Sequence, residues 1–169
     1  MPFAVTHVLT AIIVIEFLRE YLLKDKKNFP HYFIIIGGIA SLLPDIDIIL
    51  YYILYAFFKI PQEAIHRMLT HSLIWPAFFL IGAYYAYIKK NKKQLNLLIV
   101  ITIGITLHII LDMITGYVVP LAPFSQQMFG LNLLPDSQIG RSITLGIDAI
   151  ILIAWLIHEE VKHQISKFV

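Results

Sequence analysis

The sequence predicts an all-α, polytopic integral membrane bundle of about five transmembrane helices. Three observations carry that prediction. The 169 residues are 59% hydrophobic and only 14% charged, with a mean hydropathy of +0.78, outside the range of a soluble globular domain. Apolar runs of about 20 residues, the length a helix needs to cross a bilayer, recur along the chain. Lysines gather between those runs, as membrane anchors do.

Each run is read in turn. The first covers Phe3 to Leu23, interrupted by Glu16 and Arg19, which pair at i, i+3. No positively charged stretch precedes it, so it reads as a retained span and not a cleaved signal. The second runs from Tyr32 to Phe58 and carries Pro44, Asp45 and Asp47 near its middle; it is expected to be a true span kinked at Pro44. The third covers Leu73 to Ile88, the fourth Leu95 to Val119 and the fifth Ser142 to Ile157. A loop holding Pro120, Pro123, Gly130, Pro135 and Gly140 joins the last two. With no linker, repeat or low-complexity stretch, residues 1–169 form one domain.

Composition also excludes function classes. The chain has no cysteine, so disulfides, thiolate metal sites and thiol nucleophiles are ruled out. Its net charge is +2, and no basic stripe points to nucleic acid. Lys24, Lys26 and Lys27 follow the first span, Lys89, Lys90, Lys92 and Lys93 the third, and Lys162 and Lys167 the fifth. Placing all three groups in the cytoplasm puts the N-terminus outside and the C-terminus inside.

Seven ionisable side chains stand in or beside these greasy segments: His7, Asp45, Asp47, His66, His71, His108 and Asp112. Such groups are costly in a bilayer unless paired, hydrated or metal-bound, so each is a candidate for function. The expected topology brings them to one leaflet. Asp112 lies about 26 Å along its helix from Leu95, at about 1.5 Å per residue, with His108 one turn below.

The spacings differ in meaning. His108 and Asp112 are an i, i+4 pair on one helix face, either two ligands of a metal or a hydrogen-bonded pair inside the bundle. Asp45 and Asp47, two apart, serve one site only if the helix breaks, and Pro44 supplies a break. Their other reading is helix capping with a kink. His66 and His71 are five apart, off-face on a helix, and read as a loop with at least one ligand. Arg67 beside them suits an anionic substrate oxygen, or His66 and Arg67 meet lipid headgroups. Asp148 is open between ligand, partner of a histidine and mate of Arg141. His158 and His163 flank Glu159 and Glu160, but five apart they miss the spacing of a zincin helix.

Three ordered stretches resemble the YdjM-like family of inner-membrane proteins assigned as metal-dependent hydrolases. They are Pro44-Asp45-Ile46-Asp47, His66-Arg67-Met68-Leu69-Thr70-His71-Ser72, and His108-Ile109-Ile110-Leu111-Asp112 with Thr115 and Tyr117 following. The stretch Pro120-Leu121-Ala122-Pro123-Phe124-Ser125 looks like the family's continuation. Family members often carry glycine where Met68 stands and histidine where Ile48 stands, so one possible ligand is missing here. A more distant likeness, to zinc-dependent phospholipase C and P1-type nucleases, rests on the order His7, Asp45, His66 or His71, then His108 with Asp112. Their later His-x-x-x-Glu helix has no counterpart.

These readings converge on a membrane-embedded metal-dependent hydrolase that acts on a phosphoester or phosphodiester of a lipid-like substrate. Zinc, with manganese as the alternative and one to three ions in number, is held by His71, His108, Asp112 and Asp45. His7, Asp47 and His66 complete a second site or its surroundings. Asp45, Arg67 and His71 serve the chemistry, Arg67 on the non-bridging oxygens. Thr115 and Tyr117 orient the pocket. The loop from Pro120 to Gly140, with Phe124, Met128, Phe129 and Leu131, covers a membrane lipid or lipid-linked small molecule. The rival readings are a divalent-cation or proton transporter, marked by acids spread through the membrane depth, and a structural protein whose metal only holds helices together.

Overall fold

The computed structural model describes residues 4–23, 27–59, 69–134 and 137–161. Among these the architecture is helical: α1 (Ala4–Phe17), α2 (Tyr32–Ala40), α3 (Ile46–Phe58), α4 (Ile74–Ile88), α5 (Lys92–Thr115) and α6 (Gln138–Val161). Extended pairing is limited to one antiparallel bridge between Val118 and Phe129. The polarity of the fold is inverted relative to a soluble protein. His7, Asp47, His71, His108 and Asp112 are no more than 1% exposed, whereas Ile35, Phe78, Ile81 and Ile150 are at least 60% exposed. That arrangement suits a hydrocarbon surround, where polar groups must find partners inside the bundle.

The first apolar run is helical as α1 and continues past Phe17 as a π-helical extension, Leu18–Leu23. The second is not one kinked helix. After Ala40 the chain makes successive three-residue turns, Leu42 N–H to Ile39 O, Leu43 to Ala40 and Asp45 to Leu42, before α3 begins. Pro44 has no N–H to continue an α-helical ladder, so the run divides into two helices of nine and 13 residues. The third span is the 15-residue α4. The fourth and fifth are the 24-residue α5 and α6, which among the described helices alone combine the length and hydropathy of a full crossing.

Helix α5 is the axis of the fold, packing against α4, α2 and α1, while α6 rests on α1. The α4–α5 connection is tight. Lys90 adopts a left-handed conformation (φ 57°), and Asn91 caps α5 by accepting the Gln94 N–H at 3.1 Å. Within α5, Thr102 and Thr106 return their hydroxyls to Leu98 O and Thr102 O, at 2.8 and 2.7 Å, which satisfies them without a partner helix. Where α1, α2 and α5 meet, Ala11, Ile15, Phe29, Phe33, Ile34 and Val100 form the apolar core.

Two glycines set how closely α2 and α5 approach. A Cβ on Gly104 would stand 2.5 Å from the Gly37 carbonyl oxygen and 3.1 Å from the Ser41 nitrogen. A Cβ on Gly37 would stand 2.9 Å from Val100 Cγ1 and closer still to Ile15. Small residues of this kind let membrane helices approach backbone to backbone. Because the obstacle at Gly104 is backbone, Gly104→Ala should force α2 outward and cost about 1–3 kcal/mol, as overpacking does. Gly146→Ala, whose Cβ meets nothing within 4 Å, is the matched control. Thermal unfolding in detergent should show a lower midpoint for Gly104→Ala and none for Gly146→Ala; equal midpoints would refute the packing assignment.

Candidate metal centre

The close crossing at Gly104 presents the next turn of α5, His108, to the chain leaving α2. His108 Nδ1 lies 2.6 Å from the Ser41 carbonyl oxygen. A carbonyl only accepts, so Nδ1 carries the proton and Nε2 is left with a bare lone pair. One turn further, Asp112 enters from the same face, as the i, i+4 spacing requires.

His71 arrives from the connection ahead of α4. The Thr70 hydroxyl donates to Asp47 Oδ2 at 2.6 Å, so toward His71 Nδ1, 3.1 Å away, the same oxygen accepts. Nδ1 of His71 is therefore a donor as well, and its Nε2 points into the cluster. Asp47 Oδ2 is 3.8 Å from Nδ1. The two aspartates flank opposite edges of one imidazole, because the break at Pro44 places Asp45 ahead of α3 and Asp47 in its first turn.

The Nε2 atoms of His71 and His108 thus face each other and both carboxylates. His71 Nε2 lies 3.2 Å from His108 Nε2, 3.7 Å from Asp45 Oδ1 and 3.2 Å from Asp112 Oδ2. His108 Nε2 lies 3.5 Å from Asp45 Oδ1 and 3.7 Å from Asp112 Oδ2. Electron-rich atoms at such separations repel unless a cation lies among them: a proton on His71 Nε2 shared with Asp112, or a metal ion. A tetrahedral zinc with bonds of about 2.0–2.1 Å sets its ligand atoms about 3.3 Å apart. The three distances among His71, His108 and Asp112, from 3.2 to 3.7 Å, are of that size, and Asp45 Oδ1 approaches both imidazoles from the exposed side. His71, His108 and Asp112 are sealed from solvent, and the Asp45 side chain, 24% exposed, is the accessible edge.

His7 comes from α1. Its ring stacks on His108 at 3.8 Å between centroids and 19° between planes, and its Nε2 lies 3.6 Å from Asp112 Oδ1. The other ring nitrogen, Nδ1, is buried without a hydrogen-bond partner among the described residues, so an N–H there would be unsatisfied by them. The proton belongs on Nε2, pointing at Asp112, where it orients that carboxylate with Oδ2 toward the cluster. His7, His108 and Asp112 also form a compact ligand set of their own, beside that of Asp45, His71 and His108.

Of the seven residues singled out in the sequence, six meet here, and His66 lies outside the described residues, as does Arg67. Asp148 is not among the facing ligand atoms; its carboxylate accepts from the Thr6 hydroxyl and ties α6 to α1 beside His7. Thr115 does not orient the pocket: its hydroxyl donates to Leu111 O on its own helix at 3.1 Å. Tyr117 is 48% exposed. Glu16 accepts from Trp155 Nε1 at 3.1 Å and Arg19 Nε donates to Phe29 O at 2.9 Å. Thr70, Thr6 and the Ser41 carbonyl acquire roles that spacing alone does not reveal. The adjacency of Thr70 to His71 and of Thr6 to His7 is their only sequence signal.

Residues 1–165 match the family model for the YdjM inner membrane protein. No curated protein and no solved structure matches the chain.

The tautomer of His108 is directly checkable. Nitrogen-15 spectra of the histidine rings should show Nδ1 protonated and Nε2 unprotonated for His108, with the Nδ1 proton shifted by its short bond. A proton on Nε2 in place of Nδ1 would contradict the geometry of the Ser41 contact.

Proposed function

The chain belongs to the YdjM family of inner membrane proteins, and on that premise we propose that it is a membrane-embedded metal-dependent hydrolase. The observation that carries the reading is the mutual approach of His71, His108 and Asp112 within 3.2 to 3.7 Å, with Asp45 on the exposed edge beside them, so that three side chains would hold an ion and leave a position for water. Two imidazoles with two carboxylates suit zinc, with manganese as the alternative. Such an ion supplies Lewis acidity and a hydroxide nucleophile near neutral pH.

The protein's own groups do the rest. Ser41 O and the Thr70–Asp47 pair fix the two imidazoles with Nε2 inward, so no ring has to turn during reaction. His7 holds Asp112 in place. Asp45, at the exposed edge, is where substrate meets the centre, and it is positioned to take a proton from attacking water. Arg67, four residues before His71, is assigned to the non-bridging oxygens of a phosphoryl group. Phosphoester chemistry on a lipid-like molecule is favoured by this hard donor set and by the apolar loop after α5, where Phe124, Met128 and Leu131 are at least 67% exposed.

The transporter reading is less well supported. A conduction path needs polar groups through the depth of the bundle. Along α1 the buried positions between His7 and Glu16 are Leu9, Ala11 and Ile15, and the core around them is apolar. Among the described residues of α1 the buried polar groups stand at its two ends, with apolar positions between them. On topology, the proposal places the N-terminus and the cluster outside, with the Lys89–Lys93 turn in the cytoplasm, in a bundle of about five crossings.

Purified protein should carry zinc, measured by elemental analysis. His108→Ala and Asp112→Ala should lose most of it, since each also leaves other buried charges uncompensated, while Thr70→Val should lower affinity about 10–100-fold through the freed His71 ring. Unchanged occupancy in His108→Ala would sink the centre. The zinc-loaded protein should cleave members of a phosphomonoester and phosphodiester panel, and Asp45→Asn should abolish cleavage without loss of the fold. Ion flux in proteoliposomes with no cleavage would favour the transporter.

Topology has its own test. A cysteine placed at Lys90 in this cysteine-free chain should react with an impermeant maleimide only after the cells are opened. Labelling in intact cells would invert the orientation.

A further inference from the structure

Beside the ligand cluster lies an apolar cavity of about 240 Å³. Its position is more telling than its size. Pro44 and Ile46, the residues on either side of Asp45, line it, and so does Thr70, the residue beside His71. The cavity is therefore lined by the chain neighbours of two cluster residues, Asp45 and His71, and lies beside the cluster without including its ligand atoms. Thr70 is the single polar residue of its wall, and its hydroxyl is committed to Asp47 and His71. The far wall is Trp75 and Phe79 of α4 with Ile105 of α5. Trp75 is held as a fixed panel, because its indole N–H donates to Leu69 O at 3.0 Å. Ile105 closes the bottom at 2% exposed, whereas Ile46 and Trp75, at 55% and 42%, form an open rim.

A dry, preformed slot with no free polar group selects hydrocarbon. Its walls at Pro44, Ile46 and Thr70, next in the chain to Asp45 and His71, point to what that hydrocarbon is attached to: the group that meets the cluster. We propose that this cavity holds the first part of a hydrocarbon chain of the substrate, so that the protein selects an amphiphilic phosphoester by chain as well as by headgroup. The inference rests on the hydrolase reading for the headgroup, but the chain site stands on the cavity itself. The occupant enters over the Ile46–Trp75 rim from the lipid phase and lies between α4 and α5 with its polar end at Asp45. Binding by the chain places the ester bond against the cluster and excludes water from the apolar side.

The test uses zinc-loaded full-length protein in nanodiscs and a series of unbranched alkyl phosphonates, which carry the headgroup charge but no ester to cleave. Referred to phosphonate free in water, each methylene that leaves water should tighten binding about fourfold, in the cavity as in the lipid, and the gain specific to the cavity ends when the slot is full. Partition into the nanodisc lipid is common to all variants, so the reading is the ratio of wild-type to variant affinity at each length. Ile46→Trp, which narrows the rim, should give a ratio that grows with chain length and then levels at shorter chains than in the wild type. Phe79→Leu, which enlarges the far wall, should shift the levelling to longer chains. A ratio independent of length for both variants, or no phosphonate binding at all, would overturn the chain site even if phosphoesters are cleaved. Length-dependent ratios without cleavage of any phosphoester would leave the chain site standing and remove the hydrolase.

Discussion

The hydrogen bond between His108 Nδ1 and the Ser41 carbonyl, 2.6 Å long, is the constraint on which the rest of the site depends. It exists because Gly37 and Gly104 let two helices touch through their backbones. It also requires α2 to stop at Ala40, so that the chain is already turning when it passes α5. From that one contact follow the tautomer of His108, the inward lone pair and the placement of Pro44 and the two aspartates. A bulkier residue at either glycine would not merely loosen the bundle; it would separate the groups that face one another.

Electrostatics explains why so much of the molecule is spent on fixing rings. Bringing two imidazole lone pairs and two carboxylates within 4 Å in a dry interior is unfavourable in the absence of a cation. The bundle holds them there through partners that are themselves anchored: Ser41 O for His108, Thr70 with Asp47 for His71, His7 for Asp112. Apart from Thr70, which adjoins His71, each partner comes from a different part of the chain from the residue it steadies. The arrangement is prepared before any ion enters, and that keeps reorganisation out of the binding step. The apolar cavity next to Asp45 adds a second, non-ionic element of recognition on the same edge.

Much of this was legible in the sequence, for identifiable reasons. The His108–Asp112 pair is an i, i+4 relation, so once the run around it reads as helix both side chains must share a face. The break at Pro44 is written in the missing N–H, although its extent, five residues of turns in place of a kink, depends on how α2 is stopped by α5. The number of crossings was less legible. Hydropathy marks apolar runs but not their continuity, and the run from Tyr32 to Phe58 divides into α2 and α3. Second partners were hardest to see. Nothing local announces that Thr70 lies between Asp47 and His71, or that Thr6 answers Asp148 from 142 residues away. Such contacts arise only when distant helices are packed.

The central claim is that His71, His108 and Asp112 together hold one zinc ion whose remaining position, beside Asp45, is left to water. X-ray absorption at the zinc edge of the purified, zinc-loaded protein tests it most directly. The account predicts four nitrogen and oxygen neighbours at about 2.0 Å and the outer scattering pattern of two imidazoles. A six-coordinate oxygen shell, or a pattern lacking imidazole, would contradict it.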